Sequence, residues 1–442
     1  MKKRILWLMV AIIIVSFATV VVSAADFDWR KHEGTELNIF MCKHPYAEGV
    51  LAAIPEFEAL TGIKVNSEAI SEDEFFDKSM IMLSAGSKDV DVLMAGVMQL
   101  WTYAPAGYIE PLEGYIADPA LTNPDYDFED IFEKLREGTQ WDTVDGHPVG
   151  TGSQWAIPLG FEQMALIYRA DLFEKYGIKV PNTLPEVYEA AKILSENEPD
   201  ITPFTHRGLR SWNLCHTGPI SMITNYGTSD FDENLQPAMG TPEGLAFHKV
   251  FVKLLQDYGP KQWIGHEWYD VLADLAAGSA AMAVDADILG SFAVNAEDTA
   301  VGKPGMLKWA PVPTKPGGDK HMANLWIWNI AMNAASEKKE AAWYFMQWAT
   351  GKENDLRGAT AKMNPVRESS WQNKELLAEI EAKFPTYIET FMYSINNCSV
   401  LFTPQVRMVE RNTLWAVALQ EMFGGADVEK RLAELVEELT IK

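Results

Sequence analysis

The most informative alternation of apolar and polar positions lies between residues 154 and 194. An apolar run at residues 155–159 is interrupted around Glu162, and a second apolar run follows at residues 164–168. Because Pro158 cannot donate a hydrogen bond to a central ladder, the first run is predicted to lie at a sheet edge or exit. A strand that changes character at a carboxylate fits a segment crossing between two packed bodies, and it also fits an ordinary strand–helix–helix unit.

Strands and helices alternate along the chain, which predicts an α/β fold. Helix ends carry recognisable signals: Gly177 follows a short helix, and Thr183 with Glu186 forms a capping box at the start of the next one. The clearest predicted strands span residues 36–41, 89–94 and 323–332, and the clearest helices span residues 50–61, 71–85, 242–258, 268–277, 338–345 and 428–439.

Ligands of open α/β sheets bind at the carboxyl ends of strands. The loop after the first strand carries Lys43 and His44, and the loop after residue 94 carries Gln99, so these three residues are candidate ligand contacts. The segment around Trp212 is predicted to be a further loop, with an aromatic ring beside polar groups.

Side chains two apart on a strand face the same side of the sheet. Trp326 and Trp328 are therefore predicted to present their rings together on the strand at residues 323–332. By the same spacing, Asp285 and Asp287 are predicted to share one face at the end of another strand, where two carboxylates could hold vicinal hydroxyls.

Size and charge narrow the function classes. The chain has 442 residues, of which 48% are hydrophobic and 22% charged, and this favours two lobes around a substantial core. Its 37 basic and 62 acidic residues give a formal net charge of −25. That balance argues against nucleic acid and against anionic lipid surfaces as partners, since both attract basic proteins.

Residues 1–25 have the organisation of a secretory leader. Residues 2–4 are basic, residues 5–22 form an apolar run, and Ala24 and Ala25 offer a cleavage site. The apolar run also approaches the ~20 residues of a membrane anchor, so cleavage and retention are both open.

Cysteines and catalytic motifs add little. Cys42, Cys215 and Cys398 form neither a disulfide framework nor a zinc pattern, and they are expected to be buried apolar residues, with one bridge as the alternative. The sequence has no Gly-x-Ser-x-Gly elbow, His-Glu-x-x-His helix or phosphate-binding glycine loop. No cofactor, metal or catalytic residue is therefore predicted.

The stretch that ends at Leu194 contains a set of residues at fixed spacing: Ile157-Pro158, Tyr168-Arg169, Asp171-Leu172-Phe173, Lys175-Tyr176-Gly177-Ile178, Pro181, Thr183, Glu186 and Ala191-Lys192-Ile193-Leu194. This set resembles the signature of the family 1 extracellular solute-binding proteins, the sugar-capturing subunits of ABC importers. Residues 325–350 look most like the polyol-binding branch of that family. Two departures are Leu275 in place of a phenylalanine and Asn324-Leu325 in place of a frequent glycine pair.

The resemblance covers nearly the whole mature chain and implies a two-lobed α/β fold of the type II periplasmic binding protein kind. Three hinge crossings, the third at residues 364–369, would join the lobes around a ligand cleft. The implied protein is a periplasmic or extracellular monomer without enzymatic activity, which closes on a sugar or polyol and delivers it to ABC permease subunits. Lobe 1 is expected to comprise residues 26–160 and 327–368, and lobe 2 residues 161–326 and 369–442.

Sugars and polyols are recognised by aromatic faces and by planar polar groups that hydrogen-bond adjacent hydroxyls. Sugar-binding family members often place a carboxylate at the position of Glu162, and in the third crossing Arg367 and Asn364 are candidates. The structural alternatives are core packing for the tryptophans, a solvated hinge for Glu162, and a helix cap or surface pair for the aspartates. The candidate ligand contacts are Lys43, His44, Gln99, Glu162, Trp212, Asp285, Asp287, Trp326, Trp328, Asn364 and Arg367.

A secreted carbohydrate-active hydrolase is the alternative function class. Asp285 paired with Glu162 could act as acid and base on a glycosidic bond. Acidic residues are so abundant in this chain that such pairs arise by chance, and the binding protein is therefore the favoured interpretation.

Overall fold

The structure is a computed structural model that describes residues 27–360 and 363–441. Predictions about the leader at residues 1–25 lie outside the described residues. Across the described ranges, no helix combines the length and the apolar character needed to span a bilayer.

Ten strands, eighteen α-helices and three 3-10 helices make up the described part of the chain. The strands are β1 Glu36–Cys42, β2 Lys64–Ile70, β3 Val92–Gly96, β4 Gln140–Trp141, β5 Ser153–Gln154, β6 Ile157–Arg169, β7 Met282–Ala286, β8 Leu307–Ala310, β9 Ala323–Met332 and β10 Cys398–Ser399. The α-helices are α1 Pro45–Thr61, α2 Glu72–Ser84, α3 Val97–Tyr103, α4 Glu113–Ala117, α5 Glu133–Gly138, α6 Ala170–Tyr176, α7 Leu184–Asn197, α8 Trp212–Thr217, α9 Pro219–Tyr226, α10 Pro242–Tyr258, α11 Trp268–Ala276, α12 Asp287–Asn295, α13 Lys339–Ala349, α14 Lys352–Thr360, α15 Lys374–Lys383, α16 Tyr387–Ile395, α17 Met408–Phe423 and α18 Val428–Ile441. The 3-10 helices span Phe128–Asp130, Trp263–Gly265 and Ser370–Gln372.

One mixed sheet of eight strands forms the frame of the molecule. Its main path is β2-β1-β3-β9-β6-β7, while β10 pairs with β9 and β8 pairs with β6. β1 pairs in parallel with β2 and β3, as expected for strands joined through helices. β9 runs antiparallel to both β3 and β6, so the two longest strands lie next to each other at the centre.

β6 changes partners half-way along its 13 residues. Among the strands of the described sheet, residues 157–163 pair with β9, whereas residues 164–169 pair with β7 and β8. The predicted edge position of the first half is thereby confirmed, and the register shifts between Pro158 and Gly160.

β9 also changes partners, and its bounds coincide with the predicted residues 323–332. Its first residues pair with β10 and its last with β3, on either side of the pairing with β6. Beside them, Asn364 forms a bridge with Phe161 and Arg367 with Ile131. The three segments predicted to cross between lobes therefore lie side by side.

Several predicted helix ends are confirmed. Gly62 and Gly177 end α1 and α6 with left-handed backbone angles, φ +72° and +64°. Thr183 and Glu186 form the predicted capping box at the start of α7. The three cysteines are all free and buried, in agreement with their interpretation as apolar residues.

Three predicted loops are wrong in their extent, because each is taken up by the start of a helix. α1 begins at Pro45, whose fixed φ suits the first helical position, and His44 is its N-cap. Gln99 lies in α3, and Trp212 is the first residue of α8, with Ser211 as its N-cap.

The shared strand face of Asp285 and Asp287 is also wrong. Asp285 lies in β7, but the chain turns after Ala286 and Asp287 begins α12. The two carboxylates consequently point to different partners.

Candidate functional site

A cavity opens beside the two central strands, where β6 and β9 exchange partners. About 410 Å³ within it, including space open to solvent, is not filled by protein atoms. Its lining combines aromatic rings with a few buried polar groups, as ligand pockets do. The lining residues are His44, Glu72, Glu162, Arg207, Trp212, Asn213, His216, Trp268, Ala286, Ile288, Leu289, Phe292, Trp326 and Trp328.

Stacked aromatic rings form one side of the cavity. Trp326 and Trp328 both face it, as their spacing on β9 predicts, and their ring centroids lie 5.3 Å apart. Trp212 stacks on Trp326 at 5.0 Å and 23°, and His44 packs against Trp328 at 4.9 Å. Faces of this kind suit the C–H surfaces of a carbohydrate.

Glu162 supplies a buried carboxyl group at the point where β6 changes partners. Its Oε1 accepts a hydrogen bond of 3.3 Å from Trp328 Nε1. Burial raises the pKa of Glu162 to about 8, and the nearby charge of Arg207 offsets only part of this effect. At neutral pH the group is therefore largely protonated in the cavity described here.

His44 faces Glu162 as a neutral ring. Its Nε2 lies 3.8 Å from Glu162 Oε1, but burial lowers the pKa of His44 to about 3, so the contact is not an ion pair at pH 7. Nδ1 accepts from the backbone N–H of Tyr46. The single proton of the neutral ring consequently sits on Nε2, where it can be donated.

Arg207 brings a guanidinium to the cavity, and the sequence candidates did not include it. Its Nε and Nη2 donate to the two oxygens of Asp285 at 2.9 and 2.6 Å, and its Nη1 donates to Asn213 Oδ1 at 2.6 Å. Burial opposes the charge of Arg207, yet Asp285 outweighs this effect and raises the pKa. The pair presents a neutralised cation at the cavity, and Asn213, the acceptor of Nη1, also lines it.

The register of the sheet explains this pairing. Thr205 forms a parallel bridge with Ala283, so Arg207 and Asp285, each two residues further on, fall on the same face. Asp285 is wholly buried behind Arg207 and does not line the cavity. Asp285, a predicted ligand contact, therefore lies one layer behind the cavity lining.

Asp287 and Asn364 meet each other away from the cavity lining. Asn364 Nδ2 donates to both oxygens of Asp287 at 3.0 and 3.1 Å, and the Tyr387 hydroxyl donates to Asp287 at 3.1 Å. Burial raises the pKa of Asp287 to about 7. The cluster ties the third crossing to α12 and α16.

Arg367 is placed in a structural role. Its wholly buried guanidinium donates to the carbonyl oxygens of Thr350 and Asp127 at 2.9 and 2.8 Å and lies 3.3 Å from Asp130 Oδ2. These acceptors fix the third crossing against the turns around residue 130. The guanidinium at the cavity is that of Arg207.

Lys43 and Gln99 do not line the cavity. Lys43 lines an adjoining outer pocket. Gln99 and the Trp326 ring both pack close to Gly96, where an added Cβ would clash with each of them. Among the described residues, no group of three or more His, Cys, Asp or Glu side chains is placed to hold a metal ion.

Comparison with known proteins provides independent evidence about the family of this chain. Residues 45–355 match the family model described as bacterial extracellular solute-binding protein. The chain belongs to this family. Its membership confirms the resemblance seen in the signature around Ile157, and the family description locates its members outside the cytoplasm.

Two relatives of this solute-binding protein are named after the polyols they bind. The chain is 36% identical over 422 residues to the erythritol/L-threitol-binding protein of Mycolicibacterium smegmatis, covering 94% of this chain and 87% of that protein. It is 27% identical over 296 residues to the mannitol-binding protein of Pseudomonas aeruginosa, covering 65% and 63% of the two chains.

Solved structures share the fold. A solute-binding protein of Agrobacterium vitis S4 with bound D-mannitol superposes with a TM-score of 0.76 at 22% identity, covering 92% of this chain and 97% of that one. One from Agrobacterium radiobacter K84 in complex with ribitol gives 0.79 at 21% identity, covering 92% and 98%. The two-lobed α/β fold expected from the sequence is thereby confirmed.

Proposed function

We propose that this solute-binding protein captures a short acyclic polyol as a monomer outside the cytoplasm and delivers it to the permease subunits of an ABC importer. One observation carries the proposal: Glu162 and Arg207, both buried, face the same small cavity as a wall of tryptophan rings. The name of the Mycolicibacterium relative, over nearly the full length of both chains, supports a short polyol.

The cavity offers matched groups for adjacent hydroxyls. Arg207 Nη1 and His44 Nε2 donate, Glu162 accepts and, when protonated, also donates. Each hydroxyl both donates and accepts, so a chain of hydroxyls can alternate between these groups while its C–H face lies on Trp326 and Trp328. A neutral ligand fits because Asp285 already balances the charge of Arg207.

Capture by hinge closure follows from the position of these groups. The pairing of β9 with β3 at one end and β10 at the other supports a division into residues 26–160 with 327–368 and residues 161–326 with 369–442. Glu162 then lies at the first crossing, Arg207 in lobe 2 and His44 in lobe 1. A ligand held by all three would favour the closed state through contacts to both lobes.

The hydrolase alternative finds less support in the geometry. It needs Asp285 and Glu162 to flank one bond, but Asp285 is bound at both oxygens by Arg207 and lies behind it. A binding site that leaves its ligand intact accounts for this arrangement, because the carboxylate orients a donor for the ligand.

The test is calorimetric titration of the mature protein with erythritol, ribitol, mannitol and maltose, followed by chromatography of the recovered compound. We expect the strongest binding with a short polyol and its recovery unchanged. Consumption of the compound would support the hydrolase instead, and the absence of binding by all four would overturn the proposal.

A matched pair of variants tests the site. Arg207→Lys and Arg367→Lys make the same chemical change at two buried arginines, one at the cavity and one in the third crossing. We expect Arg207→Lys to weaken polyol binding at least tenfold, since a lysine cannot keep both the Asp285 fork and the ligand contact. Arg367→Lys should lower stability and leave the Kd of the folded protein unchanged.

A further inference from the structure

Two neighbouring spaces in the cleft share one wall. The inner cavity at Glu162 and Arg207 has about 410 Å³ of unfilled space and an outer pocket has about 1,120 Å³, both including space open to solvent. Both are lined by Glu72, Trp212, Asn213 and Trp268, which therefore lie between them. The two tryptophans are the bulkiest members of this shared wall.

Trp212 is held in this position from two sides. Its ring stacks on Trp326 at 5.0 Å and 23°, and its edge meets Phe76 at 6.3 Å and 75°. Phe76 in turn stacks on Trp328 at 6.0 Å and 9°, so Trp212, Trp326, Trp328 and Phe76 close a ring of aromatic contacts. The backbone is fixed as well, because Ser211 Oγ accepts from Asn213 N–H at the start of α8.

The outer pocket is not an apolar surface. Beyond the wall it is lined by Lys43, Asp77 and Glu267 together with the ring of Tyr269. A hydroxyl-bearing chain that reached this space would meet hydrogen-bonding groups there. Of the four residues between this space and the inner cavity, Trp212 is the one whose ring stacks on Trp326 in the inner lining.

We propose that Trp212 determines ligand specificity by setting the longest polyol that the site accepts; this rests on the proposed function of the inner cavity. In this proposal a four-carbon chain held at Glu162 and Arg207 stays on the inner side of the shared wall. A six-carbon chain held in the same way runs into the Trp212 ring, which cannot retreat without leaving its stack on Trp326. Selection of short chains thus comes from exclusion as well as from attraction.

The experiment compares dissociation constants for erythritol, ribitol and mannitol in the wild-type mature protein and in Trp212→Ala. Trp212 also borders the bound ligand, so every Kd can rise, and the ratio of the mannitol Kd to the erythritol Kd is the informative quantity. We expect the wild type to prefer erythritol and Trp212→Ala to move the ratio toward mannitol by roughly tenfold or more, the range that pocket size commonly gives.

Tyr269→Ala is the control, because Tyr269 lines the outer pocket and not the inner cavity. It should leave the ratio unchanged, while Trp212→Phe, which keeps a ring on Trp326, should move it less than Trp212→Ala. If Trp212→Ala does not fold, Trp268→Ala opens the same wall from α11 and is expected to act in the same direction.

An equal loss of affinity for all three polyols in Trp212→Ala would show that Trp212 is only a stacking surface and would overturn this inference, leaving the polyol function intact. A wild-type preference for mannitol would also overturn it. If no polyol binds to the wild type, the proposed function itself fails, and the inference fails with it.

Discussion

Glu162 combines three conditions that rarely coincide at one residue. It lies where a strand changes partners, its carboxyl is buried, and the nearest histidine is neutral. A charged carboxylate there lacks water, which is why its pKa rises to about 8. A polyol that brings hydroxyl donors into the cavity would replace part of that missing solvation.

The pH dependence of stability should reveal this carboxyl. The folded pKa of Glu162, about 8, lies above its ordinary value of 4.5, so the folded protein keeps a proton that the unfolded chain has lost between these pH values. The free energy of unfolding therefore falls as pH rises through this window. Glu162→Gln remains neutral and should not show this loss. Its free energy of unfolding, relative to that of the wild type, should therefore rise by on the order of 3 kcal/mol between pH 5 and pH 8.

Chemical denaturation of the ligand-free wild type and variant at several pH values measures this difference. Glu381→Gln, at an exposed position on α15, is the control for the exchange of a carboxyl for an amide. Asp287 has a shift of the same sign, but it is present in both proteins and cancels from the comparison. A difference between wild type and Glu162→Gln that stays constant with pH would contradict the buried neutral carboxyl.

Sequence reasoning at the residue scale succeeded where the information is local. Trp326 and Trp328 follow from a two-residue spacing, and Glu162 follows from an interruption in one strand. Arg207 could not be selected in this way, because its partner Asp285 is 78 residues away and the two meet only through the sheet register. Arg367 was selected in its place because its acceptors, at residues 127 and 130, are also distant in sequence and could not be foreseen.

At the scale of elements, the two central strands were predictable and several helix starts were not. β9 has the predicted bounds because residues 323–332 are mainly apolar and β-forming and the run ends before Asn333. The start of α1 was placed too late, since the pattern of apolar residues begins after Pro45 and the capping role of His44 is visible only in the structure. Similar boundary errors assigned Gln99 and Trp212 to loops, whereas both lie in helices.

Gly160 on β6 lies close to Tyr46 on α1, and it offers a test of that packing. A Cβ at Gly160 would lie 2.1 Å from the Tyr46 ring, and this ring is fixed by a 2.6 Å hydrogen bond from its hydroxyl to the Phe161 carbonyl oxygen. We expect Gly160→Ala to lower the free energy of unfolding by roughly 1–3 kcal/mol, the usual cost of overpacking.

Gly49 provides the matched control within α1. An added Cβ there meets no atom within 4 Å, so Gly49→Ala should raise stability by up to about 1 kcal/mol through helix propensity. Urea unfolding of both variants, at an unchanged m-value, measures the two effects. If Gly160→Ala leaves the free energy of unfolding unchanged, α1 can shift away from β6, and this contact does not fix the position of α1 on the sheet.

At the scale of the whole molecule, the described cleft is narrow. Phe76 on α2 and Trp212 on α8, which the proposed division assigns to different lobes, are in ring contact at 6.3 Å. Three crossings lie side by side, so rotation about them would separate these two rings without breaking either lobe. The aromatic ring of contacts around Trp212 is then a property of the closed state, and a ligand bound to both lobes would stabilise it.

Small-angle X-ray scattering tests this closure directly. A compact chain of this length has a radius of gyration of about 22 Å, and we expect the value to fall when the wild-type mature protein is saturated with its preferred polyol. Arg207→Lys at the same polyol concentration should keep the larger radius, because weakened contact to lobe 2 leaves the open form populated. An unchanged radius in a wild-type sample that calorimetry shows to be saturated would contradict hinge closure while leaving polyol binding in place, since the ligand would then be entering a cleft that is already closed.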